Sequence, residues 1–546
     1  MKTILTTIIF CTLTTLRLTA QSTMIRVYEI FQQKCASCHS NANPQSGLDL
    51  EESGSTTQIR ALKVRTNILN VTPANAHAEA KGYKYVVPGR SDKSFLFRKI
   101  NLDLEPTISL HANEEGNMPP VDNPQLTDVE KEMIRQWILF GAPSSGQVID
   151  EDLLIDYYSG NGQESFPDGP PTAPAEEDGF QIKMGPFFLE PGGEKEYFTK
   201  YKLEMPEDQD IDRIEIFMSD YSHHFIIYDF NQGGDATIPN GFRLDPDHND
   251  IGLVTAVQEP TDLKLPQGTA FIWDKDLVLD LNSHYINYSA FNPYMAENYV
   301  NIYTKPAGTA AQEMHTELLV NGDIPIPNNG NEVTHTQQVF TNIGEVFIWG
   351  IMGHTHKYGT GYKVFKRLAG GAQGELIYDA ACAQGVPGCI SPFFDYRHIP
   401  IRYFEPLMPL TFNFQNGIIH EASWINDGPT SVNFGPTSDD EMMVLVLMYT
   451  EDTTGVITDL PEIYNPLDAI NIYPNPVKEI ATVDLPAGIG EISFRLFDAT
   501  GKELIRMDNI QDNSFSFNRA HLPSGMYFYR IEEKSGRFKA GKLSLE

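Results

Sequence analysis

From about residue 179 to residue 452 the chain is written in short apolar runs of strand length, such as 214–218, 225–228, 277–281, 299–303, 346–350 and 443–448. Turn-forming stretches rich in Pro and Gly separate them, among them 265–268 and 325–330, and this spacing predicts antiparallel sheets packed as sandwiches. Three histidine groups fall on that frame: His223-His224, His284, and His354-Thr355-His356, followed by Met442 within the run 438–442. Alternate residues of a strand share a face, so His354 and His356 can reach one ion. His223 and His224 can do so only from a bend or a strand end, with His284 from another strand as the third nitrogen. A thioether is a poor ligand for zinc or magnesium but a good one for reduced copper, so five imidazoles with a methionine point to copper redox chemistry. A zinc hydrolase would need a carboxylate base beside the histidines, and no HExxH run occurs.

A second chemistry is written near the start. In Cys35-Ala36-Ser37-Cys38-His39 the two thiols lie one helical turn apart, the spacing that attaches one c-type haem covalently, and His39 follows as axial ligand. A soft distal ligand is expected from Met118 in Asn117-Met118-Pro119-Pro120, with His77 and His111 as rivals. The stretch 24–145 is helical at both ends. Its last helix is bounded by Asp128 and Glu130 at the start and by Gly141-Ala142-Pro143 at the stop.

The N-terminus, Met1-Lys2 followed by the apolar stretch 4–16 and Ala20, reads as a secretory signal over 1–20. No later segment is long and apolar enough to span a bilayer, so membrane insertion is not expected. The formal net charge of −33 repels phosphate backbones and anionic headgroups and argues against nucleic-acid partners. Of five cysteines, Cys11 lies in the signal, Cys35 and Cys38 in the haem motif, and Cys382 and Cys389 are expected to form a disulfide in an exported chain. Residues 146–178, rich in Gly, Pro and acids, read as a flexible linker that would let a haem domain visit the copper region.

Taken in order, His223-His224, His284-Tyr285, His354-Thr355-His356 and Thr437-Ser438 followed by Glu441-Met442 resemble the copper type II, ascorbate-dependent monooxygenases, the peptidylglycine hydroxylating and dopamine β-monooxygenase family. The resemblance implies two jelly-roll-like sandwich domains, 179–310 and 311–455. His223, His224 and His284 would hold an electron-transfer copper. His354, His356 and Met442 would hold the catalytic copper that meets O2. Two departures stand out: Met352 and Val446 occupy positions where the peptide-amidating branch has an arginine and a tyrosine for the substrate carboxylate, and Met443 replaces a family cysteine. Residues 24–145 resemble small monohaem cytochrome c domains. The runs 473–476, 498–502, 523–527 and 541–543 resemble the type IX secretion C-terminal sorting domain, expected over 468–546.

The expected fold is therefore multidomain: a small all-α cytochrome c domain, two all-β copper sandwiches and a C-terminal β-sandwich sorting domain. The expected protein is a secreted or surface-displayed monooxygenase, exported through the periplasm of a Gram-negative bacterium. It carries two copper ions and one covalent haem c and hydroxylates a small organic substrate. An external electron donor and the type IX machinery are its other partners. The alternative is a copper and haem electron-transfer protein without catalysis.

Overall fold

In the computed structural model the first element is the helix Thr23–Lys34, which forms because Met24, Val27, Tyr28, Ile30 and Phe31 recur at three- and four-residue spacing and bury one face. The structure describes residues 21–231, 233–244, 251–381, 391, 393–396, 399–435, 439–457, 470–485, 491–498, 501–512, 514–534 and 538–546. The expected signal 1–20, the Cys382–Cys389 disulfide and the pair Thr437-Ser438 lie outside the described residues. The helix Asp128–Leu139 begins on a capping box in which Thr127 and Glu130 each accept the other's backbone N–H. Its Ile134, Trp137 and Ile138 are at most 1% exposed.

The expected small all-α cytochrome domain is not seen. Strands take up 44% of the structure and helices 14%, and no helix among residues 23–161 exceeds the 12 residues of Thr23–Lys34, Thr57–Ile68 and Asp128–Leu139. Between them the chain closes through the antiparallel pair His39–Ser40 with Asn43–Pro44 and through single bridges such as Leu69 to Val86. Thr57–Ile68, Ala76–Ala80 and Phe95–Ile100 are short helices between the two ends, and the Pro-, Gly- and Asn-rich stretches around them break the helical period before it can build an all-α domain.

This segment is also not set apart from the sheets. Phe242 donates its N–H to Leu139 O at 2.8 Å, and Gln136 Nε2 donates to Pro186 O at 2.8 Å. Gly141 and Gly241, both at positive φ, meet so closely that a Cβ on either would lie 2.2–2.3 Å from the other loop's backbone. An ionic network crosses the same junction. Arg135 binds Glu105 at 3.0 Å and grips Glu132, while Lys183 bridges Glu105 (2.5 Å) and Glu297 (2.6 Å).

The expected flexible linker 146–178 is structured as well. It holds the helix Glu151–Asp156, whose Glu151 pairs with Arg26, and the strand Gln163–Glu164, which joins a sheet beside Tyr294–Pro306. Its Pro171 and Thr172 carbonyls accept from Gln181 and Asn301. Pro and Gly break helices and strands, yet they leave carbonyls free to accept from neighbouring amides, and composition alone cannot tell a packed turn from a loose one.

The first pair of sheets shares one core. A seven-stranded sheet, centred on Gln209–Phe217 and Tyr294–Pro306, faces a four-stranded sheet ordered Glu194–Lys202, Val278–Ile286, Ser222–Phe230, Ile251–Val257. A second pair follows: His315–Val320, Val444–Thr450, Gly344–His354, Arg402–Phe412 against Glu332–Val339, Gly417–Ile425, Gly359–Leu368, Ala372–Asp379. Ile348, Leu445, Tyr362 and Trp424 meet between these two sheets. Trp349, Met352, Val446 and Met448 point the other way, into the core of the first pair, so one apolar body joins both.

The chain divides into Met1–Val456 and Ile457–Glu546. The second unit is a sandwich of its own: Asn471–Tyr473, Ile480–Asp484 and Ser514–Asn518 against Glu503–Ile510, Ile492–Phe497, Gly525–Glu533 and Phe538–Leu545, with Val483, Phe494, Leu496 and Ile531 inside. No described helix is long and apolar enough to cross a membrane.

Candidate metal centre

The strand Val278–Ile286 is central in its sheet and alternates strictly. Leu279, Leu281 and Tyr285 face the core, while Asp280, Asn282 and His284 make a polar row on the other face, each at most 2% exposed. A fully buried polar row is costly unless each group has a partner, which marks it as a site rather than a surface. His284 opposes His224 in register, and the next pair is Tyr285 with Ser222. His223 is thus the extra residue of a β-bulge, and the bulge turns it to the same side as His224. One ring nitrogen from each of His223, His224 and His284 lies within 4.8 Å of the others.

The neighbouring strand orients these rings. His224 Nε2 faces Asn282 Oδ1 at 2.9 Å and Glu196 Oε1 at 3.2 Å, and His284 Nε2 faces Glu194 Oε1 at 2.7 Å. Acceptors at both Nε2 atoms place the protons there and turn the Nδ1 lone pairs inward, that of His224 toward His223. His223 Nδ1 and His224 Nδ1 are 3.3 Å apart, and His284 Nδ1 is buried with no hydrogen-bond partner among the described residues. Burial opposes charge on Glu196, but the bonds from His224 and Asn282 and the nearby imidazoles outweigh it and hold its carboxyl at about 2. Burial, then the crowding of like rings, keeps His223 far toward the neutral form, and His356 falls to about 4 for the same reason. A neutral imidazole with an open lone pair is the form that can ligate a metal ion.

The other two histidines arrive from the second pair of sheets. His354 is the last residue of Gly344–His354, and His356 sits in the turn beyond it, so the two do not alternate along one strand as the spacing suggested. The turn still brings their rings to 5.2 Å. It also sets His356 at 6.2 Å from His223 and His354 at 6.4 Å from His224, centroid to centroid. Five imidazoles from two sandwiches therefore form one cluster. His356 Nδ1 donates to Asp440 O at 3.1 Å, which leaves its Nε2 free, and Gln258 Nε2 lies 3.4 Å from His354 Nδ1. Met442, half-buried, follows the fully buried Glu441, whose carboxylate accepts the backbone N–H groups of His356 and Tyr358. Burial lifts the Glu441 carboxyl above the usual range in spite of those donors.

The haem motif has its own setting. Cys35 caps the helix Thr23–Lys34, and Cys35, His39 and Met118 line one cleft with Phe31, Leu50, Phe95 and Ile134. His39 Nδ1 donates to Gln45 O at 3.2 Å, leaving Nε2 for an axial bond. Burial raises the Cys35 thiol to about 12, the behaviour of a sulfur in apolar surroundings. The rival ligands His77 and His111 stack on each other at 4.3 Å.

Sequence reasoning missed Glu194, Glu196, Asn282 and Gln258. The first two sit two residues apart on one strand, which puts them on one face, but nothing local says which strand that face will meet.

Comparison with known proteins separates the two units. Residues 471–545 match the secretion system C-terminal sorting domain, so the chain carries the address read by the type IX secretion machinery and is secreted or attached at the cell surface. No curated protein matches the chain. Among solved structures, an immunoglobulin-like β-sandwich protein of the DUF3244 family from Bacteroides vulgatus ATCC 8482 is 18% identical, covers 14% of this chain and 84% of its own, and has a TM-score of 0.13. CopC from Methylosinus trichosporium OB3b is 15% identical over 14% of this chain and 90% of its own, with a TM-score of 0.11. Likenesses at such scores carry no argument for the rest of the chain.

Proposed function

We propose that the protein is a secreted copper-dependent monooxygenase that uses O2 to hydroxylate a C–H bond of a small organic substrate, with a c-type haem on the same chain as its electron supply. The observation that carries this reading is the convergence of five imidazoles from two sandwiches, with the buried Nδ1 of His284 left without a hydrogen-bond partner among the described residues. The donor set fits the metal: His223, His224 and His284 would hold one copper, His354, His356 and Met442 the other, and the thioether selects copper over zinc. Cys35, Cys38, His39 and Met118 would hold the haem. When bound, copper supplies one-electron chemistry and activation of O2, and haem supplies an electron store.

The protein's own part is positioning. Glu194, Glu196 and Asn282 hold Nε2 protons so that nitrogen lone pairs face inward, while Met352 and Val446 lie in the apolar core of the first sandwich. Those two residues are 4% and 5% exposed in apolar surroundings, so a peptide carboxylate is not the proposed substrate. The helical segment is locked to the first sandwich through Lys183, so electrons would cross a set distance. A second reading, an electron carrier without catalysis, draws on the same burial of Met352 and Val446, which leaves no clamp for substrate at that place.

The test is anaerobic copper loading, elemental analysis, and oxygen uptake over a screen of small aromatic and aliphatic compounds. Two coppers, one haem and substrate-dependent uptake abolished in Met442→Ile support the proposal. Zinc in both sites that copper cannot displace would sink it, and full copper with no uptake would favour the carrier.

A further inference from the structure

The half of the cluster that comes from the second sandwich is organised by one carboxylate. Glu441 is 0% exposed. Its Oε2 accepts the N–H of His356 at 2.8 Å, the indole N–H of Trp424 at 2.8 Å and, more loosely, the N–H of Met442 at 3.4 Å. Its Oε1 accepts the N–H of Tyr358 at 2.7 Å. Its backbone is held too, since Glu441 N–H donates to Asn433 O at 3.0 Å and Gly435 N–H donates to Glu441 O at 3.1 Å. The preceding carbonyl, Asp440 O, receives the Nδ1 proton of His356.

All four donors to the carboxylate, three backbone N–H groups and one indole, are neutral, a costly way to keep a buried carboxylate if stability were its only purpose. Three of the four belong to the segments that carry His356 and Met442, and the fourth, from Trp424, anchors the carboxylate to the opposing sheet. We infer that Glu441 is a positioning residue: it clamps the turn 355–358 against residue 442, so that His354, His356 and Met442 present one preformed donor set. This rests on the proposal that those three residues hold copper. The clamp acts through both ends of the set. It fixes the backbone that aims the His356 ring, and it sets where the chain leaves for Met442.

The test uses the full-length protein loaded with copper alone. Glu441→Gln keeps the volume but turns an amide NH2 toward at least one N–H donor. Glu441→Asp keeps the charge but is too short to reach both sides. The proposal expects both variants to fold with wild-type circular dichroism and to keep the three-histidine copper. The second copper should bind about 10–100-fold more weakly, and the copper–sulfur scattering in the X-ray absorption spectrum of the reduced protein should disappear. Trp424→Phe, which removes one donor and leaves the rest, should show a smaller loss in the same direction and serves if the Glu441 variants do not fold. Wild-type affinity and an unchanged sulfur signal in the folded Glu441 variants, or in Trp424→Phe if those variants do not fold, would overturn the inference. A different control addresses the reading beneath it: if His356→Ala leaves copper stoichiometry at the wild-type value, the copper assignment itself has failed, and the inference falls with it.

Discussion

Replacing Lys183 by methionine should unlock the helical segment from the first sandwich. The ammonium bridges two carboxylates, Glu105 at 2.5 Å and Glu297 at 2.6 Å, which are 3% and 6% exposed. Without it Glu297 loses its cation, and Glu105 keeps only Arg135, which is already engaged by Glu132. Removing one partner of a buried ion pair costs about 3–5 kcal/mol, because the remaining charge stays in a low-dielectric site. The loss can be read from the urea midpoint at constant slope, followed by far-UV circular dichroism. The acid limb gives a second reading. Burial alone would raise the Glu105 carboxyl, but Lys183 and then Arg135 outweigh it and hold the group below the usual carboxylate range. A depressed carboxyl contributes stability that is full above its unfolded value of about 4.3 and is lost as pH falls through the lower folded value. The variant should therefore lose less stability on acidification than the wild type. A total cost below about 1 kcal/mol, with an unchanged acid limb, would refute the claim that this network is sealed from water.

Three further outcomes are expected. His284→Ala should remove one copper of two while haem absorbance stays unchanged, as measured by elemental analysis and visible spectra; loss of both metals would mean the sites are not separable. The double change Cys35→Ala with Cys38→Ala should abolish covalent haem, checked by haem stain on a denaturing gel, and leave copper content intact. Deleting residues 471–546 should stop passage to the exterior, as fractionation would show, and leave Met1–Val456 with its normal melting curve because that unit has its own core.

What the amino-acid sequence makes legible by itself is local. The Cys35–His39 run, the helix-start signals Asp128 and Glu130 and the histidine groups are each written within a few residues, and strand geometry alone required that His223-His224 share an ion only from a bend or a strand end. What could not be read was decided at long range. Lys183 and Glu105 are 78 positions apart, and nothing in either neighbourhood says that the other will be there. The segment 146–178 has the composition of a linker and the contacts of a packed element, since Pro and Gly carbonyls accept hydrogen bonds as well as any others. The separateness of the helical segment was over-read for the same reason: amphipathic helices announce a buried face, but not whether a helix or a sheet will cover it.

The bulge at His223 makes the three-nitrogen site a matter of a single codon. Losing that one residue would restore an unbroken ladder between Ser222–Phe230 and Val278–Ile286, with every other pairing unchanged. The site would drop to two nitrogens in one step with the sandwich intact. Gaining the residue does the reverse, so a plain structural sandwich and one that brings three imidazoles together are separated by one insertion in a strand.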